Sequence, residues 1–240
     1  MDIAYYGDVF LPPPPPGKST ADLDLMDDLT TEEYADLGDA AVEAVPPEEI
    51  AAAASAEDKA ALRTPLPLQA MLRALDRRFG ASAGVLYLGE VRQVRRYLTD
   101  PPIKAEVDRV VDAAVTPDCR ILIGHSLGSV VAWEFVRRHP EHHLDLLLTL
   151  GSPLGLRAVR RLLPEPDYSV DARPRHVASW VNVRDPRDPV CCAGDLRQWW
   201  SGLSDVPVNN QRDAHSAERY LTKRQVGEAI RRAAPDLVAP

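Results

Sequence analysis

The sequence predicts an α/β fold in which a mostly parallel sheet is flanked by helices. Three apolar runs, residues 120–123, 144–150 and 176–183, each end in turn-forming residues, as strands buried on both faces of a parallel sheet do. Helical periodicity separates these runs, so right-handed crossovers are expected to join the strands. The chain has 240 residues, 45% of them hydrophobic, and we expect one domain spanning residues 1–240.

Local signals predict the remaining elements. Residues 1–10 are β-prone and predict a strand, and residues 206–209 predict another short one. Thr30 and Glu33 fit a capping box, which predicts a helix that runs toward Val45 and is stopped by the prolines that follow. Apolar residues at helical spacing predict the other helices, at 48–62, 68–79, 91–98, 103–114, 129–139 and from Thr222 onward.

Acidic charge is concentrated near the amino end of the chain. Residues 20–58 contain 13 Asp and Glu residues and no Lys or Arg, and the whole chain carries a formal net charge of −8. We interpret residues 17–80 as an acidic, proline-interrupted helical insertion, either a cap over a more basic body or a solvated segment. The proline run at 12–16 is typical of a stiff linker, and either segment could bind a protein partner.

Composition also limits the partners and cofactors. The negative net charge and the lack of a Lys/Arg block argue against nucleic acid as a partner. No apolar run reaches the roughly 18–20 residues that span a bilayer, and the amino end lacks signal-peptide features, so we expect a cytoplasmic protein without a transmembrane segment. The three cysteines form no Cys-x-x-Cys pair. No metal and no organic cofactor are implied.

The segment Gly124-His125-Ser126-Leu127-Gly128 lies between a predicted strand and a predicted helix. A Gly-x-Ser-x-Gly turn in this context holds its serine in a strained conformation, and the flanking residues must be small because strand and helix nearly collide. The pattern therefore predicts a nucleophile elbow with Ser126 as the nucleophile. The backbone amide of Leu127 is expected to point to the site of a tetrahedral oxyanion.

A serine hydroxyl needs a histidine to take its proton and a carboxylate to orient that histidine. His215 follows the last predicted strand and precedes a helix that Ser216 could cap, so we expect it to be the base. Asp185 and Asp188, at the end of the preceding strand, are both candidates for the acid.

These segments together resemble the lipase and esterase branch of the α/β-hydrolase superfamily, over about residues 120–221. The resemblance rests on the runs 121–129, 149–154 and 180–190, and on His215 with Tyr220-Leu221. It implies a serine hydrolase that cleaves a carboxylic ester, or a related acyl bond, of a small molecule through a Ser-Asp-His triad and an acyl-enzyme. It also implies that Asp188, which Pro-Val follows, is the acid. His125 and Leu154 are expected near the substrate pocket.

The sequence departs from this family at its amino end. Family members usually begin with a strand ending in a His-Gly-type loop that supplies the second oxyanion donor, and this sequence looks truncated by comparison. We therefore expect either a gap in the sheet or direct pairing of residues 2–7 with residues 120–123. Gly7 and its neighbours could replace the donor. The alternative is a catalytically weak or inactive hydrolase-like protein that binds a partner. The substrate and the oligomeric state are left open.

Overall fold

The computed structural model describes residues 2–10, 30–54, 66–164 and 173–238, and shows an α/β architecture with a parallel sheet flanked by helices. The strands are β1 (Ile121–His125), β2 (Leu146–Leu150), β3 (Trp180–Arg184) and β4 (Ser204–Pro207). The helices are α1 (Thr31–Ala44), α2 (Pro47–Ala54), α3 (Leu66–Phe79), α4 (Ala83–Thr99), α5 (Pro101–Ala114), α6 (Leu127–Arg138), α7 (Arg157–Arg160), α8 (Ala217–Leu221) and α9 (Arg224–Ala233).

The four strands lie in the order β1-β2-β3-β4, and every pair is parallel. Each strand therefore ends at the same edge of the sheet, where Ser126 follows β1 and Asp185 follows β3. Alternate residues of β2 enter two different hydrophobic clusters: Leu147 packs in the larger one, and Leu146 and Leu148 pack in the smaller one. The sheet is thus covered on both faces, as its continuous apolar runs predict.

The strand predicted for residues 1–10 is wrong. Residues 2–6 belong to no strand, and a short 3-10 helix follows at Gly7–Phe10. The turn closes when the backbone amide of Val9 donates to the carbonyl of Tyr6 at 3.1 Å. Arg96 then donates to the carbonyl of Phe10 at 3.1 Å, and the Phe10 ring is buried. These side-chain contacts hold the segment, so the expected pairing with residues 120–123 does not form.

The predicted helix after Thr30 is confirmed. The Thr30 side chain accepts from the backbone amide of Glu33, the Glu33 side chain accepts from that of Thr30, and the helix ends before Val45. Helix α1 is also paired with the basic part of the chain, since Arg161 lies 2.8 Å from Asp39. The acidic segment therefore packs against the body where the structure describes it. The proline run at 12–16 and residues 55–65 lie outside the described residues.

Other boundaries moved by a few residues. Helix α4 is longer than predicted, and Asp100 both ends it and caps α5 through the backbone amide of Ile103 at 3.2 Å. The last helix was expected to start at Thr222, but α9 starts at Arg224, after the shorter α8. Among the described helices, none is both long and apolar enough to cross a bilayer.

Candidate active site

Ser126 sits in a strained turn between β1 and α6. Its backbone angles are φ 49° and ψ −123°, a conformation that residues other than glycine rarely adopt. The turn is tight because strand and helix nearly touch: a Cβ atom on Gly124 would lie 2.7 Å from the Cα of Ser129. Only glycine fits at position 124. This is the geometry required of a nucleophile elbow.

Hydrogen bonds fix the elbow in place. The backbone amide of Ser126 donates to the carbonyl of Leu150 at 3.0 Å, which ties the turn to the end of β2. The carbonyl of Ser126 accepts from both the amide and the hydroxyl of Ser129, at 2.9 and 2.6 Å. The amide of Leu127, the first residue of α6, has no hydrogen-bond acceptor among the described residues. It is a free donor beside the serine.

Asp188 and His215 form a buried pair. The Nδ1 atom of His215 lies 2.8 Å from Oδ2 and 3.0 Å from Oδ1 of Asp188. Since an ionised carboxylate only accepts, Nδ1 carries a proton and the neutral ring has its lone pair at Nε2. The Asp188 carboxylate also accepts from the backbone amide of Val190 at 2.9 Å and from the hydroxyl of Tyr220 at 2.8 Å. Tyr220 thereby positions the carboxylate that positions the imidazole.

The other candidate acid, Asp185, does not contact His215. Its carboxylate accepts from the guanidinium of Arg187 at 3.0 Å and from the backbone amide of Asn210. Burial alone would raise the pKa of Asp185, but the hydrogen bonds from Arg187 and from the Asn210 amide outweigh it and lower the pKa. Asp185 therefore stabilises the loop that carries the histidine, and Asp188 is the carboxylate at the imidazole.

Three further contacts hold the loop of His215. The side chain of Asn210 donates to the carbonyl of Ala214 at 2.9 Å, and Ser216 caps α8 as its position in the sequence predicted. His125 donates from Nε2 to the carbonyl of His215 at 2.8 Å, and the two rings lie 4.6 Å apart. Burial and the charge of His215 lower the pKa of His125 to about 4. His125 is therefore a neutral ring that supports the loop of His215.

Sequence reasoning missed Glu90. The hydroxyl of Ser126 donates a short hydrogen bond to Oε2 of Glu90, and Oε1 of the same carboxylate lies 4.0 Å from Nε2 of His215. The spacing of residues in the sequence gives one sign of its role. Glu90 follows Tyr87 by three residues and precedes Val94 by four, so it shares a helix face with two residues that are fully buried in the structure. A carboxylate on the buried face of α4 needs a partner inside the protein.

Ser126 and His215 face the same carboxylate without bonding to each other. Within the part of the chain that the structure describes, Nε2 of His215 is buried and has no hydrogen-bond partner. The structure therefore brings Asp188 and His215 into contact, and it places Ser126 across the Glu90 carboxylate from them.

The charge around His215 favours its protonated form. Burial lowers the pKa of this imidazole, but the hydrogen bond and charge of Asp188, with smaller contributions from Glu90 and Asp213, outweigh burial and raise it above its ordinary value. An imidazole with a raised pKa is a stronger base once it has lost its proton.

A cavity of about 620 Å³ opens beside His215. Its walls include Ser82 and Leu86 on one side and Arg212 on the other, and Ser126 is not part of its lining. Leu86 lies one turn before Glu90 on α4, so this helix runs from the cavity wall to the serine. Leu154, which the sequence placed near a pocket, is fully buried in the larger hydrophobic cluster.

Comparisons with known proteins identified no relative of this chain. The chain matches no protein-family model, no curated protein and no solved structure at a significant level. Any function must therefore be argued from the geometry of the site itself.

Proposed function

We propose that this protein is a serine hydrolase, of the lipase and esterase type, that cleaves a carboxylic ester or a related acyl bond of a small molecule. One observation carries the proposal: the strained Ser126 and the unpartnered Nε2 of His215 face the same carboxyl group, while Asp188 holds the other side of the imidazole. Ser126, His215 and Asp188 thus have the residue types and the chain order that a nucleophile, a base and an acid require.

The mechanism follows from these positions. The hydroxyl of Ser126 turns from Glu90 to Nε2 of His215, which takes the proton as the serine oxygen attacks the acyl carbon. Asp188 keeps Nδ1 protonated and stabilises the imidazolium that forms. The amide of Leu127 donates to the oxyanion. The imidazolium then protonates the leaving alcohol, and water, activated by the same imidazole, hydrolyses the acyl-enzyme.

An activity-based probe tests this proposal directly. A fluorophosphonate should label the wild-type chain on the peptide that contains Ser126, and labelling should disappear in Ser126→Ala and in His215→Gln. Ser204→Ala is the matched control, because Ser204 is exposed at the start of β4. Labelling that persists in Ser126→Ala, or that maps to another residue, contradicts the assignment. Hydrolysis of p-nitrophenyl esters of increasing chain length would then define the acyl group.

The hydrogen bond from Ser126 to Glu90 favours a second candidate function. A hydrolase-like protein whose serine is held by a carboxylate would turn over weakly or not at all, and its acidic segment would serve a protein partner. Replacing Glu90 separates the two functions. A hydrogen bond to a charged group is worth about 1.5–3 kcal/mol, and Glu90→Ala removes the one that holds the Ser126 hydroxyl. If the protein is an enzyme, the freed hydroxyl in Glu90→Ala should therefore be labelled about 10- to 100-fold faster than in the wild type. No labelling at Ser126 in either protein favours the binding function.

A further inference from the structure

The proposed reaction needs a second donor at the oxyanion. Attack by Ser126 moves negative charge onto the former carbonyl oxygen, and the amide of Leu127 supplies one hydrogen bond to it. Loss of one of two such donors typically lowers kcat by about 100- to 1000-fold. Within the described part of the chain, the segment at residues 2–6 forms no strand that would end in a backbone donor of the usual kind.

The hydroxyl of Tyr6 lies at the elbow. The nearest atom to a Cβ built on Gly128 is the hydroxyl oxygen of Tyr6, at 3.2 Å. Gly128 directly follows Leu127 at the start of α6, so the phenol lies at the same turn of the helix as the free amide. The Tyr6 ring packs against the larger hydrophobic cluster, and its carbonyl accepts from Val9 at 3.1 Å. The ring and the backbone are therefore both held, which gives the hydroxyl a defined place.

The phenol also lies within electrostatic reach of Glu90, the carboxylate that accepts from Ser126. Burial first, and then the charge of Glu90, raise the pKa of Tyr6 to about 12. The hydroxyl consequently keeps its proton at neutral pH and is a donor. None of the described residues accepts a hydrogen bond from it. An uncommitted donor thus lies next to the elbow, within electrostatic reach of the carboxylate to which Ser126 donates.

We propose that Tyr6 is the second oxyanion donor of the reaction. This inference rests on the proposed function. As the Ser126 oxygen bonds to the acyl carbon, its proton passes to Nε2 of His215 and the carbonyl π electrons move to the carbonyl oxygen. That oxygen accepts hydrogen bonds from the Leu127 amide and from the Tyr6 hydroxyl, which keeps its proton throughout. When the intermediate collapses, the bond to the leaving alkoxide breaks and His215 returns the proton to it.

Tyr6→Phe is the decisive variant, because it removes one oxygen and keeps the ring that packs in the core. We expect kcat for p-nitrophenyl acetate to fall about 100- to 1000-fold with KM nearly unchanged, since the hydrogen bond forms only in the transition state. The affinity for an arylboronic acid, which forms a tetrahedral anionic adduct with serine, should fall in parallel. Tyr5→Phe is the matched control, because Tyr5 is exposed and contacts Asp8 at the surface.

The outcomes separate this inference from the proposed function. Wild-type kcat in Tyr6→Phe, with turnover still lost in Ser126→Ala, overturns the role of Tyr6 alone. Absence of any turnover that depends on Ser126 overturns both. If Tyr6→Phe fails to fold, a fluorinated tyrosine at position 6 replaces it. Its more acidic phenol should bring a loss of activity at high pH into the measurable range, and an unchanged pH profile contradicts the proposal.

Discussion

Glu90→Gln is expected to lower the pKa of His215. The carboxylate of Glu90 lies 4.0 Å from Nε2 of His215, and its charge is among the causes that raise the pKa of the imidazole. Glutamine keeps the size of the side chain and can still accept from the hydroxyl of Ser126, but it carries no charge. The variant therefore isolates the electrostatic effect of Glu90 from its packing.

The size of the effect follows from the distance. Two unit charges 4 Å apart attract by about 1 kcal/mol in water and by about 4 kcal/mol at an effective dielectric constant of 20. The Glu90 side chain is 19% exposed, so solvent screening favours the lower of these two energies. Losing this attraction destabilises the protonated imidazole, and we therefore expect the pKa of His215 to fall.

Two measurements check this prediction. An NMR titration of the His215 ring reads the pKa without requiring turnover. In an active enzyme, the base must be neutral, so kcat/KM rises as pH passes the pKa of the imidazole. In the wild type this rise should lie above the ordinary histidine value of about 6.5, and Glu90→Gln should move it to lower pH. Glu106→Gln, exposed on α5, is the control. An unchanged titration of His215 in Glu90→Gln refutes the electrostatic reasoning.

Four further variants test the residues that hold Ser126 and His215 in place. Asp188→Asn should lower kcat by about 10⁴-fold, because asparagine no longer enforces the proton on Nδ1 of His215. Asp185→Asn should instead lower the melting temperature and keep most of the activity. Steady-state kinetics and calorimetry distinguish these two results. Tyr220→Phe should lower the free energy of unfolding in urea by about 1.5–3 kcal/mol, since a buried carboxylate loses a donor at 2.8 Å. Gly124→Ala should cost about 1–3 kcal/mol or more, because its Cβ would meet helix backbone, and an unchanged denaturation midpoint would contradict that packing.

Locally encoded features were predicted well from the sequence. The capping box at Thr30 needs only residues three apart, and its helix forms as expected. The elbow at Ser126 is encoded by glycines on either side of the serine, and the pairing of His215 with Asp188 agrees with the order of these residues along the chain. The strand predicted at residues 1–10 failed, because contacts of Phe10 with distant parts of the chain decide its conformation.

The residues missed by the sequence are those that act through tertiary contacts. Glu90 meets a serine 36 positions away, and Tyr6, near the amino end, meets the start of α6 in the middle of the chain. Neither contact leaves a motif, because nothing in the spacing of nearby residues specifies the partner. The polar residue on the buried face of α4 was the one visible sign.

The contact between the rings of His125 and His215 has a consequence for how the site responds to acidity. The pKa of His125 is lowered to about 4 and the pKa of His215 is raised, so above about pH 4 only His215 gains or loses a proton. The pair consequently passes through a single protonation step, and the loop above it carries either one positive charge or none. A doubly charged pair, in which the two positive rings would repel each other, is reached only below about pH 4.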